Sequence, residues 1–129
     1  MKIEKQVVSL ELAKQLKDNG YPQKEGLWWW VESYWGDGTM LRWDIIAKEN
    51  LDKVNGNQEF VAPTVVELGE ALPMEPEPKT YFETTRIAFG NWIVEYKKGI
   101  RRPLAMQMGN TEADARAKMW LYLKKESLL

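Results

Sequence analysis

The chain has 129 residues, of which 44% are hydrophobic and 29% charged, and its formal net charge at pH 7 is −1. This length suits one domain with a real core, and the charge disfavours a protein whose main task is to coat nucleic acid. The chain contains no histidine and no cysteine, which excludes thiolate chemistry, disulfides and the usual zinc sites and catalytic triads. We therefore expect a single domain over residues 1–129 that is not an enzyme, with no catalytic residue, no metal and no cofactor.

No apolar run is long enough to span a bilayer, and the first residues lack the apolar core of a signal peptide. We therefore expect a cytoplasmic protein with no membrane partner.

Capping signals predict three helices. The first covers residues 9–19, with Ser9 at its N-cap and Gly20 in the left-handed position that ends it. The second is short and begins at a capping box formed by Thr64 and Glu67.

A stiff, acidic, proline-rich connector is predicted at residues 73–79, between the second helix and the strands that follow. The third helix begins at Thr111, which is expected to form another capping box with Asp114. Its predicted buried stripe consists of Ala113, Ala117, Trp120 and Leu121.

A first hairpin is predicted around Asp37-Gly38, which favours a two-residue turn between two aromatic stretches. That turn pairs Trp35 with Met40 and Trp30 with Ile45. The face that is predicted to belong to the core then carries Trp28, Trp30, Tyr34, Leu41, Trp43, Ile45 and Ala47.

The opposite face of this hairpin is apolar at both ends and polar in the middle. Trp29, Trp35 and Met40 on this face, together with Arg42, are therefore the candidate partner-binding residues. An uncovered patch of two indoles and a thioether is larger than a monomer usually exposes, so a homodimer is the simplest expectation. The competing expectation is that helix 64–72 covers this face and the protein is a monomer.

A second hairpin is predicted around Gly90-Asn91, in a register that places Arg86 opposite Glu95. Residues 103–108 form a further strand. The side chains expected to face the core are Ile87, Phe89, Trp92, Val94 and Tyr96 from the hairpin, and Leu104, Met106 and Met108 from the last strand.

The fold class that follows is α+β, with an antiparallel sheet of two hairpins plus one strand, three helices, and the order α-β-β-α-β-β-β-α.

The basic turn of the second half carries Lys97, Lys98, Arg101 and Arg102. With Trp92 and Tyr96 nearby, these side chains loosely resemble the mixture of cations and aromatic rings that binds single-stranded nucleic acid. A solvated turn that protects a sheet edge is the simpler interpretation, because the whole chain is slightly acidic. Nucleic-acid association through this turn is therefore kept as the alternative function.

Three segments, at residues 7–23, 62–73 and 110–129, together resemble a group of small proteins encoded by tailed bacteriophages and prophages. The group has no assigned activity, so the resemblance implies a setting, the cytoplasm of a bacterial host cell, and no catalytic residues. The expected function is a non-catalytic accessory protein that acts through protein–protein interaction or self-association.

Overall fold

The computed structural model describes residues 2–34, 41–53, 58–99 and 102–129. Within these ranges the helices are α1 (Ile3–Gln6), α2 (Leu10–Asp18), α3 (Val65–Ala71) and α4 (Glu112–Lys125). The strands are β1 (Trp28–Tyr34), β2 (Leu41–Ala47), β3 (Glu59–Val61), β4 (Thr80–Arg86), β5 (Trp92–Lys98) and β6 (Arg102–Gly109), with short 3-10 turns at Lys48–Lys53 and Ala88–Gly90.

The α+β class and its antiparallel hairpins are confirmed. Two elements were not predicted, the short helix α1 and the three-residue strand β3. The strands form two sheets instead of one, in the orders β2-β1-β3 and β4-β5-β6. One cluster of buried side chains draws on both sheets and on α2, α3 and α4.

Helix α2 ends as its sequence predicts. Gly20 has φ of +90°, in the left-handed region that glycine adopts without strain. The N–H of Tyr21 donates to the carbonyl of Leu16 at 2.8 Å, and the N–H of Gly20 donates to Lys17 at 3.1 Å. These two bonds form a Schellman motif, which turns the chain away from the helix.

Helices α3 and α4 also begin where the capping signals place them. Thr64 and Glu67 form the predicted reciprocal box. Thr111 accepts a hydrogen bond from the N–H of Asp114 at 3.1 Å, but the carboxylate of Asp114 accepts the N–H of Ser9 at 2.7 Å and does not complete the expected second box. Asp114 thus links the start of α2 to the start of α4. The buried residues of α4 are Ala113, Ala115, Ala117, Met119, Trp120 and Leu123, whereas Leu121 is half-buried.

The register of the first hairpin is confirmed, since Trp30 pairs with Ile45 and Tyr34 with Leu41. The expectation of which face is core was wrong. Trp29 and Val31, on the face opposite the predicted core, are 7% and 2% exposed.

This face is buried because Trp29 and Val31 belong to the same cluster as Leu68 and Leu72 of α3. The unpredicted strand β3 adds Val61, which pairs with Trp29, to this cluster. The face that was expected to be core is half-buried at Trp28, Trp30, Trp43, Ile45 and Ala47.

The predicted register of the second hairpin was wrong. Arg86 pairs with Trp92 and Glu83 with Glu95, so Arg86 and Glu95 lie on opposite faces of the sheet. The observed register places Phe82 opposite Tyr96, with ring centroids 5.1 Å apart. Burial of this aromatic pair outweighs the exposed charge pair on which the predicted register relied.

The predicted orientation of the last strand was wrong at Met106 and Met108, which are 51% and 46% exposed. Ala105 and Gly109 face the core in their place, and α4 packs against β5 and β6. A Cβ built on Gly109 would lie 2.5 Å from the backbone nitrogen of Ala115. The absence of a side chain at Gly109 lets the helix approach the strand this closely.

Replacement of Gly109 by alanine should therefore destabilise the protein by about 1–3 kcal/mol, the usual cost of overpacking. The neighbouring exposed Asn110→Ala substitution is the matched control and should change the free energy of unfolding by less than about 0.5 kcal/mol. Urea unfolding followed by tryptophan fluorescence measures both. Equal midpoints for the two variants would contradict the close helix–sheet contact.

Candidate protein-interaction site

The first candidate surface is not assembled as one exposed face. It was predicted to consist of Trp29, Trp35, Met40 and Arg42. Trp29 is 7% exposed, and its indole N–H donates to a backbone carbonyl at 3.1 Å. Arg42 is exposed and forms a salt bridge with Asp44, with 2.8 Å between Nη2 and Oδ1. Trp35 and Met40 lie outside the described residues. Trp29 is a core residue, so a partner has no access to a patch built on it.

The half-buried aromatic side chains on the opposite face of this sheet already have partners within the chain. The indole N–H of Trp30 donates to the backbone carbonyl of Val8 at 2.9 Å. The ammonium of Lys14 lies 5.0 Å from the ring centroid of Trp43. A ligand that stacked on Trp43 would first have to displace this cation–π contact.

The basic turn is partly neutralised by acidic neighbours. The ammonium of Lys97 lies 2.6 Å from a carboxylate oxygen of Glu83 and 3.4 Å from one of Glu95, and its hydrogen bond to Glu83 is the main cause that raises the pKa of Lys97. Tyr96 is fully buried and its hydroxyl donates to a backbone carbonyl at 2.6 Å, so it cannot stack on a base.

Of the other cations in this turn, Lys98 is exposed. Arg101 lies outside the described residues, and Arg102 is described only by its backbone position in β6.

The tip of the second hairpin, residues 87–91, presents an aromatic side chain that sequence reasoning assigned to the core. The observed register leaves these five residues outside the strands, closed by a hydrogen bond of 2.9 Å from the N–H of Ile87 to the carbonyl of Asn91. Phe89 is fully exposed, and its φ of +65° is in the left-handed region that bulky residues avoid. We call this segment the Phe89 tip.

The outer face of the second sheet continues the apolar character of the tip. Ile93 and Met108 are paired neighbours on β5 and β6, at the end of the sheet where the tip emerges. Met106 lies two residues before Met108 in β6 and therefore on the same face of the sheet. Methionine side chains are flexible and polarisable, which makes them adaptable contact residues.

A cleft of about 520 Å³ has apolar walls with an acidic rim. Two of the residues that line it are Tyr21, whose ring packs edge-to-face against Trp120 of α4 at a centroid distance of 5.2 Å, and Leu27, which is 59% exposed. We call it the acidic cleft, and its main lining residues are Tyr21, Pro22, Glu25, Leu27, Glu70 and Ala71.

The negative charge of this cleft affects the pKa of the tyrosine that lines it. Burial raises the pKa of Tyr21 to about 12, and the negative charges of Glu67 and Glu70 add to the effect. A cleft with this local charge favours an apolar group that carries a positive charge beside it.

No group of three or more acidic side chains that could hold a metal ion lies together in residues 2–34, 41–53, 58–99 and 102–129. In those same ranges no helix has the length and apolar character needed to cross a membrane. Comparison with family models, with curated proteins and with solved structures found no match.

Ionisation of Tyr21 should occur near pH 12, and the difference in ultraviolet titration between wild type and Tyr21→Phe isolates it. Glu70→Gln should lower this pKa by removing a nearby negative charge. Because the pKa is raised above its unfolded value of about 10, this tyrosine stabilises the fold below pH 10, and that contribution disappears as pH rises through 12. A midpoint near 10 would show that Tyr21 is not buried in an acidic setting.

Proposed function

We propose that this chain is a non-catalytic accessory protein of the phage or prophage kind that its sequence resembles. It acts in the cytoplasm of the bacterial host by binding protein, and the Phe89 tip with the adjoining Ile93, Met106 and Met108 is the contact surface. The observation that carries the proposal is the full exposure of Phe89 in a left-handed backbone conformation.

Two costs at Phe89 support a role in binding. A left-handed conformation costs a residue with a Cβ about 1–2 kcal/mol. Burial of a phenylalanine side chain is worth about 1.5–3 kcal/mol, and the folded monomer gains none of this at Phe89. A partner that receives the ring recovers the burial energy, and aromatic anchors of this kind dominate many protein interfaces.

The surroundings of Phe89 fit the usual anatomy of such an interface. Ile93 and Met108 lie at the end of the sheet where the tip emerges, and the next residue pair on this face is Glu95 with Met106. Glu83 and Lys97 continue the charged part of the same face, so the apolar end of the sheet has a charged border, as protein interfaces have.

Nucleic-acid association through the basic turn has less support. Lys97 shares its charge with two carboxylates, and Tyr96 is buried, so neither residue is free to contact a phosphate or a base. The net charge of −1 also opposes approach to a polyanion.

A photoreactive phenylalanine analogue at position 89 tests the proposal in cells of the natural host. We expect a discrete protein adduct from position 89 and another from position 106. The matched control is Val66, which is 68% exposed and lies on α3, outside the second sheet and its tip, and it should give none. Equal labelling at all three positions, or an adduct removed by nuclease, would contradict the proposal.

Replacement of Phe89 by asparagine should stabilise the protein by about 1 kcal/mol, because asparagine tolerates the left-handed region. The ring is as exposed in the folded state as in the unfolded state, so its removal loses no buried area. Phe82→Asn is the control and should cost about 2 kcal/mol or more, since Phe82 packs against Tyr96. Urea unfolding measures both. A loss of stability in Phe89→Asn would mean that Phe89 is a structural residue.

A further inference from the structure

The Phe89 tip and the acidic cleft are complementary in charge. The chain carries one cation, Arg86, and no acidic residue between positions 86 and 92. Arg86 is exposed, with its guanidinium 5.9 Å from the ring centroid of Trp92. The rim of the cleft carries the exposed carboxylates of Glu25 and Glu70. The tip therefore combines an aromatic ring with a cation three residues before it, which matches the combination of apolar walls and carboxylates in the cleft.

The cleft also has the size and lining to receive a phenylalanine ring. Its volume of about 520 Å³ lies within the range of about 300–1,000 Å³ that is typical of ligand pockets. Leu27 and Pro22 are exposed at its wall, and neither contributes to the buried core. Insertion of an aromatic ring would remove these apolar side chains from water.

The tip and the cleft lie toward opposite ends of α4, so a copy cannot fill its own cleft. The tip emerges where Trp92 pairs with Gly109, two residues before the N-cap of α4. The cleft is built around Tyr21, which contacts Trp120. Trp120 lies nine positions after Thr111, which corresponds to a rise of about 14 Å along the helix. The ring that fills the cleft must come from another molecule.

We propose that the Phe89 tip of one copy inserts into the acidic cleft of a second copy. This inference rests on the proposed function, because it names the partner that receives Phe89. The two surfaces differ, so one contact joins the tip of one copy to the cleft of another. Two antiparallel copies that exchange tips form a closed two-fold dimer, whereas copies joined by single head-to-tail contacts form a ring if the rotation closes or a filament if it does not.

The experiment uses two full-length variants that each remove one half of the contact. Phe89→Asn removes the ring, and Leu27→Asp places a charge in the cleft. Met74→Asn and Val66→Asp are matched controls at other exposed apolar positions. Circular dichroism and urea unfolding establish that each variant is folded. Sedimentation velocity over a concentration series then measures the mass of each protein and of an equimolar mixture of the two contact variants.

We expect the wild type and both controls to associate as concentration rises, stopping at the dimer if the two copies exchange tips and growing beyond it if the contacts are single. Each contact variant should associate at least ~30-fold more weakly, as loss of an interface anchor predicts. Their mixture should form a one-to-one dimer and grow no further, because only one intact tip and one intact cleft remain per pair. Arg86→Glu should also weaken association. A mixture of the Arg86→Glu and Glu70→Lys proteins should associate again, because the new glutamate of one then meets the new lysine of the other.

Several results would overturn the inference. One is a wild type that stays monomeric, and another is a mixture of the two contact variants that stays monomeric. A third is a dimer that Phe89→Asn disrupts and Leu27→Asp does not, because it would place the tip on a surface other than the cleft. If the wild type is monomeric while position 89 still forms an adduct with a different protein, self-docking fails and the proposed function stands. If position 89 forms no adduct at all, both fail.

Discussion

The close approach of α4 to the second sheet is the constraint on which the rest of this half of the molecule depends. The helix presents buried alanines at positions 113, 115 and 117, and the strand beneath it presents Ala105 and Gly109. A Cβ on Gly109 would collide with the backbone of α4, so this position of β6 admits glycine alone, and the buried Ala105 lies on the same face. The large side chains of the same strand, Met106 and Met108, must then point to the outer face because side chains alternate along a strand. The packing of the helix thus creates the exposed apolar surface of the sheet.

The same packing constrains the neighbouring hairpin. The inner face of β5 carries Val94 and Tyr96 toward the core, and Tyr96 takes Phe82 as its partner on β4. Once these rings are paired, the strands end at Arg86 and Trp92, and five residues must close the turn. Phe89 lies in the middle of that turn, where the chain is already turning away from the sheet. Its exposure is therefore a consequence of the register that the core requires.

Local signals in the sequence predict the ends of the elements well, because a cap involves residues only a few positions apart. The Schellman stop at Gly20, the Thr64 box and the register of the first hairpin are all confirmed. Face assignments fail where a distant element decides them. Trp29 is buried in a cluster that includes residues of α2, α3 and α4, and Met106 is exposed because β6 directs Ala105 and Gly109 toward α4. The candidate site was missed for the same reason, since the Gly90-Asn91 pair favours a short turn that would have placed Phe89 on a strand. No local pattern indicates the longer turn. It is indicated by the cross-strand pairing of Phe82 with Tyr96, which becomes apparent when the two strands are considered together.

Three residues other than glycine in the described part of the chain have positive φ, namely Lys79, Phe89 and Ser127, and Phe89 is the one apolar side chain among them. Sequences that fold well satisfy backbone, packing and polar requirements at once, and departures concentrate at positions that serve something other than folding. Phe89 departs twice, because an asparagine or glycine would fit its backbone better and a polar side chain would suit its exposure. Gly90, the next residue, also has positive φ and would allow the turn to form without an aromatic neighbour. The turn therefore does not need this ring. A residue that the fold neither needs nor accommodates easily, and that lies fully exposed in the middle of a hairpin turn, is best explained by a partner that buries it.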